Sequence, residues 1–467
     1  MKLFKGMIPI TVLSLLLVSG GCIKRKEQPP NFLIILIDDL GAKDIGCYGQ
    51  TIIETPNIDK LAKQGMKWIN AYSACPVCSP TRAALLTGRS TARVHFTGHI
   101  TSSGHHRYPE NGRIIPPDDL LNLPLSEILI PEALKSSGYK SISIGKWHIG
   151  HEGFFPENQG FDINIGGYTQ GSPPSHFYPY TSNKDWNPSI PNLQGGKDGE
   201  YLTDRLTQEA IKFIEENKEQ PFLVYLSHYA VHVPLEAPKE LIEKYKIKVN
   251  ESNINSIYAA MVESVDSNIG RLLNKINELG LDQNTVVIFA SDNGALESVT
   301  DLSPFRKGKG HLYEGGIRVP FIMRWPDHIP KNSISENLTI SQDIFTTIVD
   351  IAGIKDAQEQ IIDGRSLVGD FSINNKVNND LFWFYPHYSP HGGKPGAAIR
   401  SGDFKLIKFY DPIKIELYNL KRDISETQNL FMDMPEKVDE LSAKLDNYLE
   451  ESEAILFTEN PNFKEKK

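Results

Sequence analysis

This chain is poor in the features that mark specialised classes of protein. It has four cysteines in 467 residues, too few for a disulfide scaffold. It lacks an apolar run long enough to cross a bilayer: residues 7–18 form its most extended candidate, short of the ~20 residues a spanning helix needs. Positive charge is in deficit, with 49 Lys and Arg against 58 Asp and Glu for a net charge of -9, which argues against a nucleic-acid partner. Internal repeats and low-complexity tracts are absent. What remains, 40% hydrophobic and 23% charged, is an ordinary globular composition, long enough for about two or three domains of ~100–200 residues.

The first segment carries an address. Lys2 and Lys5 precede the apolar run, and Ser19-Gly20-Gly21 precede Cys22. A basic start, a short apolar stretch and small residues describe a secretory signal. A cysteine at that place resembles a bacterial lipobox, in which cleavage before Cys22 is followed by its lipidation; Ser19 stands where Leu is usual, and ordinary cleavage near Gly20 is the alternative. The expectation is a signal peptide at 1–21 and a polar, proline-stiffened tether at 22–30. The protein would be exported to the periplasm or cell surface and touch the membrane through its lipid alone. Cleavage leaves 47 basic against 58 acidic residues, or -11.

From residue 31 to 364, short apolar strands alternate with amphipathic helices. The apolar run 32–37 ends in Asp38-Asp39. Thr55-Pro56 reads as the N-cap and first position of a helix closed by Gly65. A second helix starts at Ser79-Pro80, and residues 131–137 give a third. Strand 140–144 leads into Gly145-Lys146-Trp147-His148. Helix 201–217 places Leu202, Leu206, Ala210, Phe213 and Ile214 on one face, ahead of strand 222–226. Ile257, Met261, Val265, Ile269, Leu272, Leu273 and Ile276 mark a long helix before strand 285–290 and Ser291-Asp292-Asn293-Gly294. This order implies an α/β domain, with a mainly parallel sheet sandwiched by helices. Ligands bind such sheets beyond the carboxyl ends of the strands, where Asp38-Asp39, Lys146 to His148, His228 to His232 and Asp292-Asn293 all fall. Residues 365–467 change pattern: strands at 381–385, 398–400, 404–409 and 415–418 and a helix at 436–450 predict a smaller C-terminal antiparallel sheet plus helix. Residues 166–199 are rich in Gly, Pro, Ser and Tyr; an ordered loop that long is often functional, and it is the expected wall of a substrate cleft.

Cys75-Pro76-Val77-Cys78 has the spacing of a thiol redox pair. The sequence from Cys78 onward, Ser79-Pro80-Thr81-Arg82-Ala83-Ala84-Leu85-Leu86-Thr87-Gly88-Arg89, instead resembles the signature of the type I, formylglycine-dependent sulfatases. Other segments resemble that family as well: Asp38-Asp39 after the first strand, Thr55 to Asp59, Gly145-Lys146-Trp147-His148-Ile149-Gly150, His232 with Pro234, Asp292-Asn293, Gly308-Lys309-Gly310 through Gly316, and Glu416-Leu417-Tyr418-Asn419-Leu420. The resemblance implies an alkaline-phosphatase-like fold and a maturation enzyme that reads Cys, Pro and Arg and converts Cys78 to formylglycine.

Each group also has a chemical reason. Asp38, Asp39, Asp292 and Asn293 are hard oxygen donors suited to Ca²⁺ or Mg²⁺, without a thiolate or imidazole to select zinc. The resemblance implies one calcium per chain, held by these four and by the modified Cys78. Lys146, His148, His232 and Lys309 would face a sulfate whose charge spreads in the transition state, and glycines beside Lys309 let it approach an anion. His228 reads as structural. His105 and His106 show no partner spacing, and His151, His311, Tyr313, His387 and His391 are possible rim residues.

By resemblance, the hydrate of the modified Cys78 attacks sulfur with one hydroxyl. His148 takes the proton of the other and so expels sulfate. His232 and Lys309 bind sulfate and assist the leaving oxygen, Lys146 bridges sulfate and residue 78, and Arg82 orients residue 78. Cys78 at a helix N-terminus also favours an anion. The implied substrate is a sulfated carbohydrate, algal such as ulvan or carrageenan, or a glycosaminoglycan, read by loops at 89–119, 166–199 and 387–395. The alternatives are a formylglycine-dependent phosphomonoester or phosphonate hydrolase, a non-catalytic glycan-binding homologue, and a thiol oxidoreductase using Cys75 and Cys78.

Overall fold

Every residue of the strand Asn31–Ile37 is buried, as a run with no polar alternation requires. Its side chains divide by parity. Leu33, Ile35 and Ile37 enter one core with Leu206, Ala210, Val265 and Ile269, while Phe32, Ile34 and Leu36 enter another with Leu85, Leu86, Ile130 and Ile344. Two apolar faces demand two layers of helices. Pro56–Gln64, Leu202–Asn217 and Ser256–Glu278 cover the first face; Cys78–Thr87, Ile130–Lys135 and Asp343–Ile351 cover the second.

The computed structural model describes residues 28–100, 108–118, 120–354, 360–372 and 375–464. Its main sheet has eight strands, in the order Ser333–Ser335, Met66–Trp68, Phe321–Arg324, Thr285–Ser291, Asn31–Ile37, Phe222–His228, Lys140–Gly145 and Ile163–Ile165. Phe321–Arg324 alone runs against its neighbours. The four strands from Thr285–Ser291 to Lys140–Gly145 are mutually parallel neighbours, so the segments that follow them emerge at one end of the sheet.

The strands Asp380–Tyr385, Gly396–Ser401, Phe404–Tyr410 and Ile413–Asn419 form an antiparallel meander. One face packs Ala397, Ile399, Leu406 and Leu417 against Val438, Leu441 and Leu445 of the helix Pro435–Glu451; the other packs Trp383, Ala398 and Ile407 against Tyr72, Leu312 and Ile317 of the main domain. At this joint the buried Lys405 ammonium donates to Glu314 at 3.0 Å and Glu426 at 2.9 Å.

Local starts differ slightly from expectation. The helix expected from Ser79-Pro80 begins at Cys78, with Val77 as an extended N-cap, because Pro80 fits a helical first turn whose N–H groups are unsatisfied in any case. The helix expected at 131–137 is Ile130–Lys135. Thr55 precedes its helix as expected but makes no cap bond within it; its hydroxyl oxygen accepts from the Gly46 N–H at 2.8 Å. The signal peptide, Cys22, and His105 and His106 lie outside the described residues.

Candidate active site

The parallel strands bring their distant sequels together. Asp38 and Asp39 follow Asn31–Ile37, Lys146 to His148 follow Lys140–Gly145, His232 follows Phe222–His228, and Asp292 and Asn293 follow Thr285–Ser291. Asp39 and His148 have left-handed backbones, φ 61° and 58°. This conformation is rare for such residues and recurs at functional sites. Gly171 lies so close to the His148 ring that a Cβ there would come within 2.3 Å of Cε1; the loop can cross the imidazole only as glycine.

Cys78 sits at the first position of the helix Cys78–Thr87, all ten residues of which are buried. Its Sγ lies 3.3 Å from His148 Nδ1, and His148 Nε2 lies 3.1 Å from the Ile100 carbonyl oxygen. A carbonyl only accepts, so the proton belongs on Nε2 and Nδ1 presents a lone pair to residue 78. Burial, reinforced by the Lys146 ammonium, lowers the His148 pKa well below the usual imidazole range; the ring is a neutral base at pH 7.

Arg82 is fully buried. It donates to Asp292 Oδ2 from Nε at 3.0 Å and from a terminal nitrogen at 2.6 Å, to the Lys146 carbonyl at 3.0 Å, and to the Ser227 hydroxyl. Among the described residues none of its hydrogen bonds goes to Cys78 itself; Arg82 fixes the Asp292 carboxylate instead.

Lys146 Nζ donates to Asp38 at 2.7 Å, and Lys309 Nζ lies 2.6 Å from one Asp39 oxygen and 2.8 Å from the other. The Asn293 amide donates to Asp39 at 2.7 Å, and His232 Nε2 stands 3.7 Å from Asp39. His232 Nδ1 lies 2.8 Å from the Val233 carbonyl, which assigns its proton to Nδ1 and leaves Nε2 facing the site. Burial first, then Lys309, lowers the His232 pKa well below the usual imidazole range. Burial raises the Asp38 carboxyl well above the carboxylate range, with Lys146 only partly offsetting it. Burial would also raise Asp39, but Lys309, His232 and Lys146 hold it below that range.

The donor set fits a hard divalent cation. Asp38 Oδ1 and Asn293 Oδ1 are buried without a hydrogen-bond partner among the described residues, a costly state for oxygens that nothing else engages. Asp38, Asp39 and His232 also offer ligand atoms within 4.8 Å of one another, which adds one imidazole to the oxygen donors expected from the sequence. The carboxylates of Asp38, Asp39 and Asp292 balance the charges of Arg82, Lys146 and Lys309, so a cation would make the cluster electropositive.

These groups open into a cavity of about 440 Å³ lined by Cys78, His148, His232 and Lys309. Its walls come from all three loops expected to read the sugar: His99 and Ile100 from the first, Gln170, Gly171, Ser172 and Trp186 from the second, and His391 from the third. Trp186 was not singled out by the sequence, although its loop was. His228 is fully buried, and burial lowers its pKa to about 3; among the described residues neither ring nitrogen has a hydrogen-bond partner. No disulfide joins Cys75 and Cys78. Cys75 Sγ lies 3.8 Å from the Thr97 carbonyl.

Comparison with known proteins agrees with this arrangement. The Sulfatase family profile matches residues 30–354, and a profile for the C-terminal part of N-sulphoglucosamine sulphohydrolase matches 307–454. The N-acetylgalactosamine-6-sulfatase of Rattus norvegicus is 34% identical over 401 residues, covering 81% of this chain and 71% of that protein. A sulfatase of Formosa agariphila is 31% identical over 518 residues, covering 96% and 93%. Among solved structures, Ps i-CgsB in complex with k-i-k-neocarrahexaose superposes with a TM-score of 0.77 at 28% identity, covering 90% of this chain and 93% of that one. The phosphonate monoester hydrolase of Agrobacterium radiobacter shares the fold, with a TM-score of 0.63 at 19% identity and 89% and 96% coverage. Sequence, fold and strand-end chemistry agree, and the chain belongs to the sulfatase family.

Proposed function

We propose that this sulfatase removes sulfate from a carbohydrate oligosaccharide through a formylglycine made from Cys78. The observation that carries the reading is the pairing of residue 78 with the neutral Nδ1 of His148 at 3.3 Å, at the N-terminus of a buried helix and between two lysines. The Cys78 Sγ marks where an oxygen of the modified, hydrated residue would stand. His148 is placed to take a proton from that oxygen. Lys146 and Lys309 offset charge on the sulfate, and His232 Nε2 faces the position from which a leaving sugar oxygen would draw a proton. Arg82 keeps Asp292 in place. Asp38, Asp39, Asp292, Asn293 and residue 78 would hold calcium, which supplies Lewis-acid polarisation of the sulfate and makes a bound hydroxyl more acidic.

Three features support a sugar substrate. The cavity opens between loops rather than into a closed apolar pocket. Trp186 is 49% exposed at its rim, which offers a ring face to a sugar. Ps i-CgsB, a structural relative, is known in complex with a neocarrahexaose. We further propose export through the 1–21 signal and a lipid anchor at Cys22, supported by the Ser19-Gly20-Gly21-Cys22 sequence.

Matched aryl sulfate and aryl phosphate assays test the reaction class. The expected result is sulfate release as the dominant activity of protein matured with its modifying enzyme. Dominant phosphate or phosphonate turnover would instead assign the chain to the other chemistry of this fold.

A further inference from the structure

A second cavity, at about 580 Å³, is larger than the one of about 440 Å³ that contains Cys78. It adjoins that one, since Leu296, Lys309 and His391 line both. Its apolar floor is built from the buried Leu312 and Phe409, with the Tyr313 ring 5.9 Å from that of Phe409, and the exposed Pro412 also lines it. Five cationic side chains also line it, those of Arg306, Lys307, the buried Lys309, Lys394 and Lys414, against two acids, Glu297 and the buried Glu416.

The existing contacts do not use up this charge. Lys309 is committed to Asp39, Lys307 faces Glu297 at 3.4 Å, and Lys414 pairs with Glu416. Arg306 lies 4.0 Å above the Tyr313 ring, donates to the Tyr418 hydroxyl at 2.9 Å and the Glu426 carbonyl at 2.8 Å, and stands 4.0 Å from the Glu416 carboxylate that Lys414 also pairs with, so two cations share that one acid. The exposed Lys394 has neither an ion-pair nor a hydrogen-bond partner among the described residues. An apolar floor with a few charged groups around it is the composition of a ligand site. The positive surplus selects an anion, and the shared border at Lys309 and His391 puts that anion next to the reacting sulfate.

We propose that this second cavity is a subsite for the sugar adjoining the one that loses its sulfate, and that it receives a second anionic substituent there, either a sulfate or a uronate carboxylate. The proposal rests on the sulfatase reading and narrows it. Oligosaccharides charged on two neighbouring units bind in preference to those charged on one. The apolar floor takes the C–H face of the second sugar, and Lys394 and Lys414 meet its anion.

Competition against turnover of 4-methylumbelliferyl sulfate tests this, because it reads occupancy whether or not the competitor is hydrolysed. Two pairs serve as probes: neocarrabiose bearing two sulfates or one, and a monosulfated chondroitin disaccharide with its uronate carboxyl intact or reduced. In the wild type the inhibition constant of the doubly charged member of at least one pair should be about tenfold lower than that of its partner, the scale of one charge pair near a protein surface. The pair that shows the preference identifies the anion. The double variant Lys394→Ala, Lys414→Ala should bring that ratio close to one, whereas Lys218→Ala, an exposed lysine at the end of the helix Leu202–Asn217, should leave it in place. Equal inhibition within both pairs, survival of the ratio in the double variant, or its equal loss in Lys218→Ala would each overturn the subsite. Failure of the underlying reading looks different: matured wild-type protein would not turn over the aryl sulfate at all.

Discussion

Asp38, Arg82, Lys146 and Asp292, which form a floor beneath the residues lining the active-site cavity, are 0% exposed, while Trp186 on its wall is 49% exposed. The floor groups interlock: each cation meets a carboxylate, and the one tautomer of His148 that satisfies Ile100 also aims a lone pair at residue 78. Such dipoles and charges need no reorganisation during reaction, which is how a buried site stabilises a transition state. The wall consists of loop segments held by scattered bonds, such as that from Gln170 to the Trp186 carbonyl at 2.9 Å. The difference separates two tasks. On the proposed reading, the floor carries the chemistry and the wall reads the substrate.

That division can be broken most forcefully at the floor. Cys78→Ala should lower sulfate release from an aryl sulfate by at least ~10⁴-fold, the scale on which loss of a covalent nucleophile acts, with the melting temperature nearly unchanged; one per cent residual activity would break the assignment. His232→Ala should lower kcat by ~10²–10⁴-fold on a sugar sulfate. Its loss should shrink on an aryl sulfate, whose phenolate leaves without a proton, and steady-state rates over a leaving-group series check this. Removal of divalent cation by a chelator should destabilise the fold by about 3 kcal/mol relative to an ion at a hundred times its Kd, because Asp38 and Asn293 oxygens lose their partner. Differential scanning fluorimetry would show a melting temperature that falls and is restored by Ca²⁺.

Smaller effects belong to the wall and to the joint beneath it. Trp186→Ala should raise KM for an oligosaccharide about threefold to tenfold, the worth of one aromatic contact, and change an aryl sulfate less; equal effects on both would place Trp186 in the chemistry. At the joint, burial raises the Glu426 carboxyl above its ordinary pKa, with Lys405 offsetting it only in part. A carboxyl with a raised native pKa binds its proton more tightly folded than unfolded. It therefore favours folding at acid pH, and that contribution declines as pH rises from the ordinary glutamate value through the raised one. Glu426→Gln should flatten this part of the stability curve between about pH 4.5 and 7, measured by denaturant unfolding at each pH. An unchanged slope would remove Glu426 as its source.

The floor was readable in the sequence because its parts are local. Each apolar run ends in its own polar group, so strand order and chemistry appear together at Asp38, Lys146 and Asp292. The contacts across the floor were not readable. Arg82 was expected to orient residue 78, yet it grips Asp292 from 210 positions away, a pairing that only the parallel order of the strands creates. Besides the four-residue Glu314–Ile317, two longer helices escaped notice, for opposite reasons. Lys239–Lys248 fully buries only Tyr245, and its stripe of Leu241, Ile242 and Tyr245 is short and interrupted by five lysines and glutamates between residues 240 and 248. Asp343–Ile351 is dominated by β-branched and apolar residues that suit a strand equally well. The basic cavity had no local signal, since Arg306, Lys394 and Lys414 meet only when the C-terminal sheet packs on the main domain.

The central claim is that residue 78 is not a cysteine in the working enzyme. Mass spectrometry of the peptide carrying residue 78, taken from a preparation that is releasing sulfate, tests it most directly. The account predicts an aldehyde, seen as the mass loss expected when the thiol is replaced and as capture by a hydrazine. An intact Cys78 thiol throughout that active preparation would contradict it.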